Sequence, residues 1–152
     1  RKDFFNEDMD SWDKGMQLML TAPFFLSREI IKYMGKSNHG SIVNISSIIG
    51  QMVGGDFESP VYHIAKGGIL QMTRYMSIQV GSFGIRVNAV LPGFIVQDED
   101  KERYYREDNL DYRSIPEFAH PLKREGNSDD IANTVMSLSS DASSSISMAN
   151  VL

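Results

Sequence analysis

Two short β-branched runs, SIVNISS at 41–47 and IRVNAVL at 85–91, stand on either side of a segment that reads as one long helix. Ser59 followed by Pro60 is a cap and first-turn pair, and the helical pattern continues through Tyr62, Lys66, Leu70 and Arg74 to about Gly81. A strand, a helix of this length and a second strand predict a right-handed crossover between parallel strands. The flanking segments extend the alternation. A helix capped by Asp10 or Ser11 is expected to run to about Met34 and stop at Gly35, with Trp12, Met16, Met19, Leu20 and Phe24 on its buried face. Pro23 predicts a bend within it. Ser128 is expected to cap a third helix carrying Ile131, Val135 and Leu138 on one stripe, and ANVL at the end starts a third strand. Alternating strands and helices indicate an α/β fold with a parallel sheet.

Length and composition narrow the function. A chain of 152 residues is one domain's worth, with enough apolar residues for a core. The formal charge of −5 leaves no basic stripe for phosphates, so nucleic acid is not an expected partner. No apolar run is long enough to span a bilayer, and no signal peptide opens the chain. With no cysteine, disulfides, thiolate nucleophiles and cysteine metal sites are excluded. That composition is compatible with a reducing compartment, and a cytoplasmic location is expected. His39, His63 and His120 match no metal spacing, so surface or hydrogen-bonded roles are expected for them. GKS at 35–37 lacks the earlier glycine of a P-loop, and neither Gly54-Gly55 nor GSFG forms a dinucleotide fingerprint. The opening RKDFFNEDMDSW lacks an initiator methionine and SISMANVL stops inside a strand pattern, which reads as an internal piece of a longer chain.

Ligands of parallel sheets collect beyond the carboxyl ends of the strands. Ser46-Ser47 follows the first run and Pro92-Gly93 the second, and the crossover starts the Tyr62 helix at that same edge. Ser47, Tyr62, Lys66 and Pro92-Gly93 are therefore expected to converge. Tyr62 and Lys66, four apart, share a helix face, so the lysine brings positive charge near a phenol that ordinarily titrates at about pH 10. A nearby cation favours phenolate, which makes Tyr62 a candidate general acid/base and Ser47 a candidate donor to a carbonyl oxygen. Gly67 and Gly68 each cost a helix interior about 0.8–1 kcal/mol relative to alanine, which close packing of the helix backbone against a neighbour would offset.

Taken in order, the segments resemble the classical short-chain dehydrogenase/reductase family across almost the whole chain. WDKGMQLMLTAPFFLSREIIKYM is similar to its central dimer-forming helix, and GSIVNISSIIG to the strand that delivers the catalytic serine. YHIAK resembles its Tyr-x-x-x-Lys helix, GIRVNAVLPGFI the following strand and cofactor turn, and PLKREGNSDDIANTVMSLSSD the helix before the last strand.

The resemblance implies a Rossmann-like parallel three-layer sandwich. Residues 1–152 would be the C-terminal half of one such domain, with a substrate lid at 97–127. It implies NAD or NADP as cofactor and reversible hydride transfer between a ketone and a secondary alcohol. Ser47 would orient the substrate oxygen, Tyr62 would exchange its proton, and Lys66 would tune the tyrosine and bind the nicotinamide ribose. Pro92, Gly93 and the Ile95 backbone would line the nicotinamide. The implied partners are a small carbonyl or alcohol substrate and further copies of the chain, as a homodimer or homotetramer through the helices at 11–34 and 60–81. The strand at 41–47 is expected to show an unpaired edge. Met19 stands where the family has a relay asparagine, Gln97 where a threonine meets the cofactor amide, and Met148 where glycine is usual. The Ser47–Tyr62 interval is about two residues longer than the common one. Two alternatives are a non-catalytic dimerisation or interaction module, and a nucleotide-sugar epimerase or dehydratase using the same Tyr-Lys pair.

Overall fold

The structure is a computed structural model and describes residues 3–37, 39–53, 59–97, 102, 122 and 124–151. The expected lid at 97–127 lies largely outside them, as do Gly54-Gly55 and His120. The first helical region is α1 (Met9–Met16), a π-helical turn (Gln17–Thr21) and α2 (Ala22–Met34). Strand β1 (Gly40–Ile45) leads through a 3₁₀ turn (Ile48–Gly50) to α3 (Pro60–Val80). A second 3₁₀ turn (Gly81–Phe83) precedes β2 (Ile85–Val90). The described chain ends with α4 (Ser128–Ser139), a third 3₁₀ turn (Asp141–Ser143) and β3 (Asn150–Val151).

The three strands are parallel in the order β1-β2-β3, with Gly40 opposite Ile85 and Ala89 opposite Asn150. Central β2 is buried at every residue, the pattern of a strand covered on both faces. Its Ile85 and Val87 pack with Ile69, Met72, Met76 and Val80 of α3, flanked by Leu20, Ile31, Met34 and Ile42. Ala89 and Leu91 meet Leu70. Each fully buried side chain of this kind stabilises the fold by about 1.5–3 kcal/mol. On the other face, buried Arg86 donates to the carbonyls of Leu138 (2.7 Å) and Ser140 (3.1 Å) and to Ser143 Oγ (3.0 Å). A cation at the carboxyl end of α4 also complements that helix's dipole. Helices on both faces of the sheet make the expected three layers.

Several local expectations are corrected. Asp8, rather than Asp10 or Ser11, caps α1, its side chain accepting the Ser11 amide at 2.9 Å. The helix to Met34 is interrupted by the π-turn immediately before Pro23, whose ring nitrogen has no proton to donate to the preceding turn. The wider turn changes the helical phase, and Phe24 comes out 37% exposed, off the buried face, while Trp12, Met16, Met19 and Leu20 stay partly buried. Ser59 holds the N-cap position of α3 without a side-chain capping bond. The cap of α4 is Asn127, one residue before Ser128, in a reciprocal capping box with Asp130.

Among the described residues, nothing pairs with the outer edge of β1, as the family resemblance led us to expect. An apolar groove lined by Leu26, Ile30, Met34, Ile42 and Val43 runs beside that strand. No helix among the described residues is long and apolar enough to cross a membrane.

Candidate active site

Ser46 and Ser47 leave β1 at its carboxyl end, and both are buried. The Ser46 amide still donates to β2 (Val90 O, 2.8 Å), and its hydroxyl crosses to α3, donating to the Lys66 carbonyl at 2.8 Å. Ser47 opens the 3₁₀ turn, its oxygen accepting the Ile49 amide at 3.3 Å. The next amide, Ile48, donates to the Pro92 carbonyl at 3.1 Å, so the turns after β1 and β2 are stitched together. This brings Ser47 and Pro92-Gly93 to one edge. Among the described residues Ser47 makes no hydrogen bond to Tyr62.

Tyr62 lies in the first turn of α3, its amide bonded to the Ser59 carbonyl at 3.0 Å. Lys66 follows one turn later. Its Nζ lies 5.6 Å from the centre of the Tyr62 ring, within cation–π range, and donates to the Ile45 carbonyl at 3.0 Å. Burial pushes the Lys66 ammonium below the ordinary lysine pKa, because the charged form loses water. The pair is thus set on one helix face, as its spacing predicts, with the end of β1 held against it.

The glycines permit this closeness. A Cβ on Gly50 would fall 2.6 Å from the Lys66 carbonyl carbon, and one on Gly67 would approach the Gly50 oxygen. Gly68 faces Leu20 of the π-turn, and Gly15 of α1 faces Val61. The two glycines after Lys66 therefore serve different neighbours, one the serine-bearing turn and the other the first helical region.

Ile95 sits beyond the second turn in a parallel bridge with Gly126. Gly126 donates to the Phe94 carbonyl and accepts from the Val96 amide, both at 3.0 Å. In a parallel bridge the central residue's own N–H and C=O point away from its partner. Those of Ile95 therefore face away from Gly126, as a neighbouring donor and acceptor.

Gly50, Gly126 and the Ile45 carbonyl were not singled out from the sequence, and Ser46 was named at the strand end without a role of its own. A glycine immediately before the Asn127 cap was the available signal for Gly126. Met19 lies partly buried in the π-turn, and Met148 adopts φ 64°, the left-handed conformation that suits the glycine usual there. His63 Nδ1 lies 3.2 Å from the Ser59 carbonyl, a hydrogen-bonded role as expected. Among the described residues no cluster of three or more His, Asp or Glu side chains is placed to hold a metal.

The chain also matches known proteins over its whole length. The family model described as Enoyl-(Acyl carrier protein) reductase matches residues 1–152. A 3-oxoacyl-[acyl-carrier-protein] reductase of Rickettsia felis is 37% identical over 137 residues, covering 90% of this chain and 54% of the relative. The solved structure of a 4-hydroxyisoleucine dehydrogenase complexed with NADH superposes with a TM-score of 0.87 at 31% identity, covering 99% of this chain and 60% of that one. An Agrobacterium tumefaciens protein crystallised with bound NADP gives a TM-score of 0.83 at 29% identity, covering 99% and 60%. The chain spans about half the length of the curated relatives it matches. Parallel topology, the serine-bearing strand end, the Tyr-Lys helix and these matches together place the chain in the classical short-chain dehydrogenase/reductase family.

Proposed function

We propose that this chain carries the proton-transfer groups and the nicotinamide-facing turn of an NAD(P)-dependent oxidoreductase that interconverts a ketone and a secondary alcohol. The observation that carries the reading is the junction at Lys66. Its carbonyl takes the Ser46 hydroxyl, its ammonium takes the Ile45 carbonyl, and the same ammonium lies beside the Tyr62 ring.

In the reductive direction Tyr62 gives its phenolic proton to the substrate oxygen, and in the oxidative direction it takes that proton back. Ser47 donates a hydrogen bond to the same oxygen; its own oxygen already accepts from Ile49, which leaves its proton for the substrate. Lys66 keeps positive charge beside the phenol and offers its remaining N–H groups to ribose hydroxyls. The nicotinamide, when bound, supplies the hydride in reduction and accepts it in oxidation, so each turnover moves one hydride and one proton. Pro92, Gly93 and Ile95 fit that ring. The Ile95 N–H and C=O together complement a carboxamide, which has one acceptor and two donors.

The relatives' names give a 3-oxoacyl group and a 4-hydroxy amino acid, which share a ketone or secondary alcohol as the reacting group. Both NADH and NADP occur in the similar structures, and either is proposed as the cofactor here. Association of copies through α1–α2 and α3 completes the reading, because Phe25 on one side and Ile64, Tyr75 and Ile78 on the other are exposed. A cytoplasmic location belongs to the same proposal.

The test is a steady-state assay of the full-length protein with NADH or NADPH and a panel of 3-oxoacyl thioesters, keto acids and keto sugars. Ketone-dependent oxidation of one cofactor, with one alcohol formed per cofactor consumed, is the expected result. Cofactor binding with no turnover on any ketone or alcohol would overturn the proposal.

A further inference from the structure

We propose that Gly126 is a positioning residue: held by the first turn of α4, it sets the Ile95 backbone that meets the cofactor's nicotinamide end. The inference rests on the oxidoreductase reading above and adds a residue from a distant segment to it.

Three observations carry it. First, the bridge fixes the Ile95 peptide from one side only. The Phe94 carbonyl and Val96 amide are spent on Gly126, which leaves the Ile95 N–H and C=O directed the other way. Whatever moves Gly126 therefore moves that donor and acceptor.

Second, Gly126 is itself held by charge. Asp130 of α4 accepts the Asn127 amide at 3.1 Å, and both its oxygens accept from the Arg124 guanidinium, at 2.8 and 3.1 Å. Arg124 also donates to the Glu125 carbonyl at 2.9 Å. The residues on either side of Gly126 are thus tied to one carboxylate. That two-pronged geometry restricts orientation more than a single ion pair does.

Third, the seat is shaped for Ile95. A Cβ on Gly126 would overlap Ile95 Cδ1, whereas the next atom it would meet, the Phe94 oxygen, is at an ordinary 3.5 Å. An alanine therefore presses on Ile95 alone, so the displacement it causes falls on the bridged residue. The change disturbs position far more than overall stability.

The experiment is a double-mutant cycle in the full-length protein, comparing wild type, Gly126→Ala, Ile95→Val and the pair. Its readouts are the dissociation constant for NADH or NADPH by fluorescence titration, and amide exchange at Val96. Gly126→Ala should raise the dissociation constant by about fivefold or more. It should also speed Val96 exchange while moving the thermal midpoint by only about 2 °C. In the Ile95→Val background, which lacks Cδ1, the same substitution should change the constant by less than about twofold. A wild type that binds cofactor and a Gly126→Ala variant that binds equally well would overturn the positioning role alone. So would an effect of equal size in both backgrounds, or loss of the fold in both. A wild type that binds neither cofactor would overturn the oxidoreductase reading, and this inference with it, even if Val96 exchange responds.

Discussion

The ammonium nitrogen of Lys66 lies 3.0 Å from the carbonyl oxygen of Ile45, the last residue of β1. Ile45 pairs with Val90, and the Ser46 amide bonds the Val90 carbonyl, so the Ile45 carbonyl points away from β2 toward the strand's outer edge. One side chain of α3 thus satisfies an acceptor that β2 cannot reach. The same residue's main-chain carbonyl takes the Ser46 hydroxyl. This double tie holds the serine-bearing turn and the Tyr62 helix in one geometry.

Burial lowers the Lys66 pKa below 10.5, which gives a signed prediction for stability against pH. Between the lowered folded value and 10.5 the unfolded chain binds more protons than the folded one, so this residue makes the fold more stable as pH rises through that window. Below the window both states are charged and the burial penalty is fully present. Lys66→Met removes the titration. Urea midpoints of wild type minus variant should therefore climb as pH approaches the unfolded value. A level or falling difference would show that the ammonium is not desolvated.

Tyr62→Phe removes one hydroxyl and keeps the ring beside Lys66. Turnover in the full-length protein should fall by about 10²- to 10⁴-fold, the usual contribution of a positioned acid/base. Cofactor affinity by titration should stay unchanged. Activity retained within a few-fold of wild type would remove Tyr62 from the reaction.

Two glycines to alanine should move stability in opposite directions. At Gly50 the new Cβ meets the Lys66 carbonyl carbon at 2.6 Å, its oxygen at 2.7 Å and the Gly67 nitrogen at 2.9 Å. These are backbone atoms that cannot step aside, so Gly50→Ala should cost about 1–3 kcal/mol. Gly81 has nothing within 4 Å of a built Cβ and lies at φ −58°. Gly81→Ala should stabilise by about 0.4–1 kcal/mol by narrowing the unfolded ensemble. Chemical denaturation of both variants checks the pair, and equal effects would refute the packing argument.

Met148 adopts φ 64° while its amide bonds the Val87 carbonyl at 2.8 Å. A left-handed conformation costs an L-residue about 1–2 kcal/mol, and glycine avoids that cost while losing about 0.5–1 kcal/mol of chain entropy. The side chain is 49% exposed, so little burial is forfeited. Met148→Gly should raise stability by up to about 1 kcal/mol, read as a higher denaturation midpoint with unchanged slope. A lower midpoint would mean that the methionine's contacts outweigh its backbone strain.

The sequence by itself determined what depends on neighbours a few residues away. Helical spacing put Tyr62 and Lys66 on one face, β-branched runs marked β1 and β2, and the strand–helix–strand order required a parallel crossover. Met148 was marked only through the family resemblance, as a position where glycine is usual, and its left-handed φ came from the structure. Tertiary structure decided which of several equivalent local solutions was used. Asp8, Asp10 and Ser11 can all cap a helix, and the chain's path into α1 selected Asp8. Asn127 took the cap expected at Ser128, because Asp130 completes a reciprocal pair with it. The close approaches were decided there as well: Gly50 against Lys66, Gly126 under Ile95, Arg86 on the end of α4 and Lys66 on the Ile45 carbonyl. Each joins residues from separate elements. No local window holds both partners, and their contact exists only once the sheet has set the distance between them.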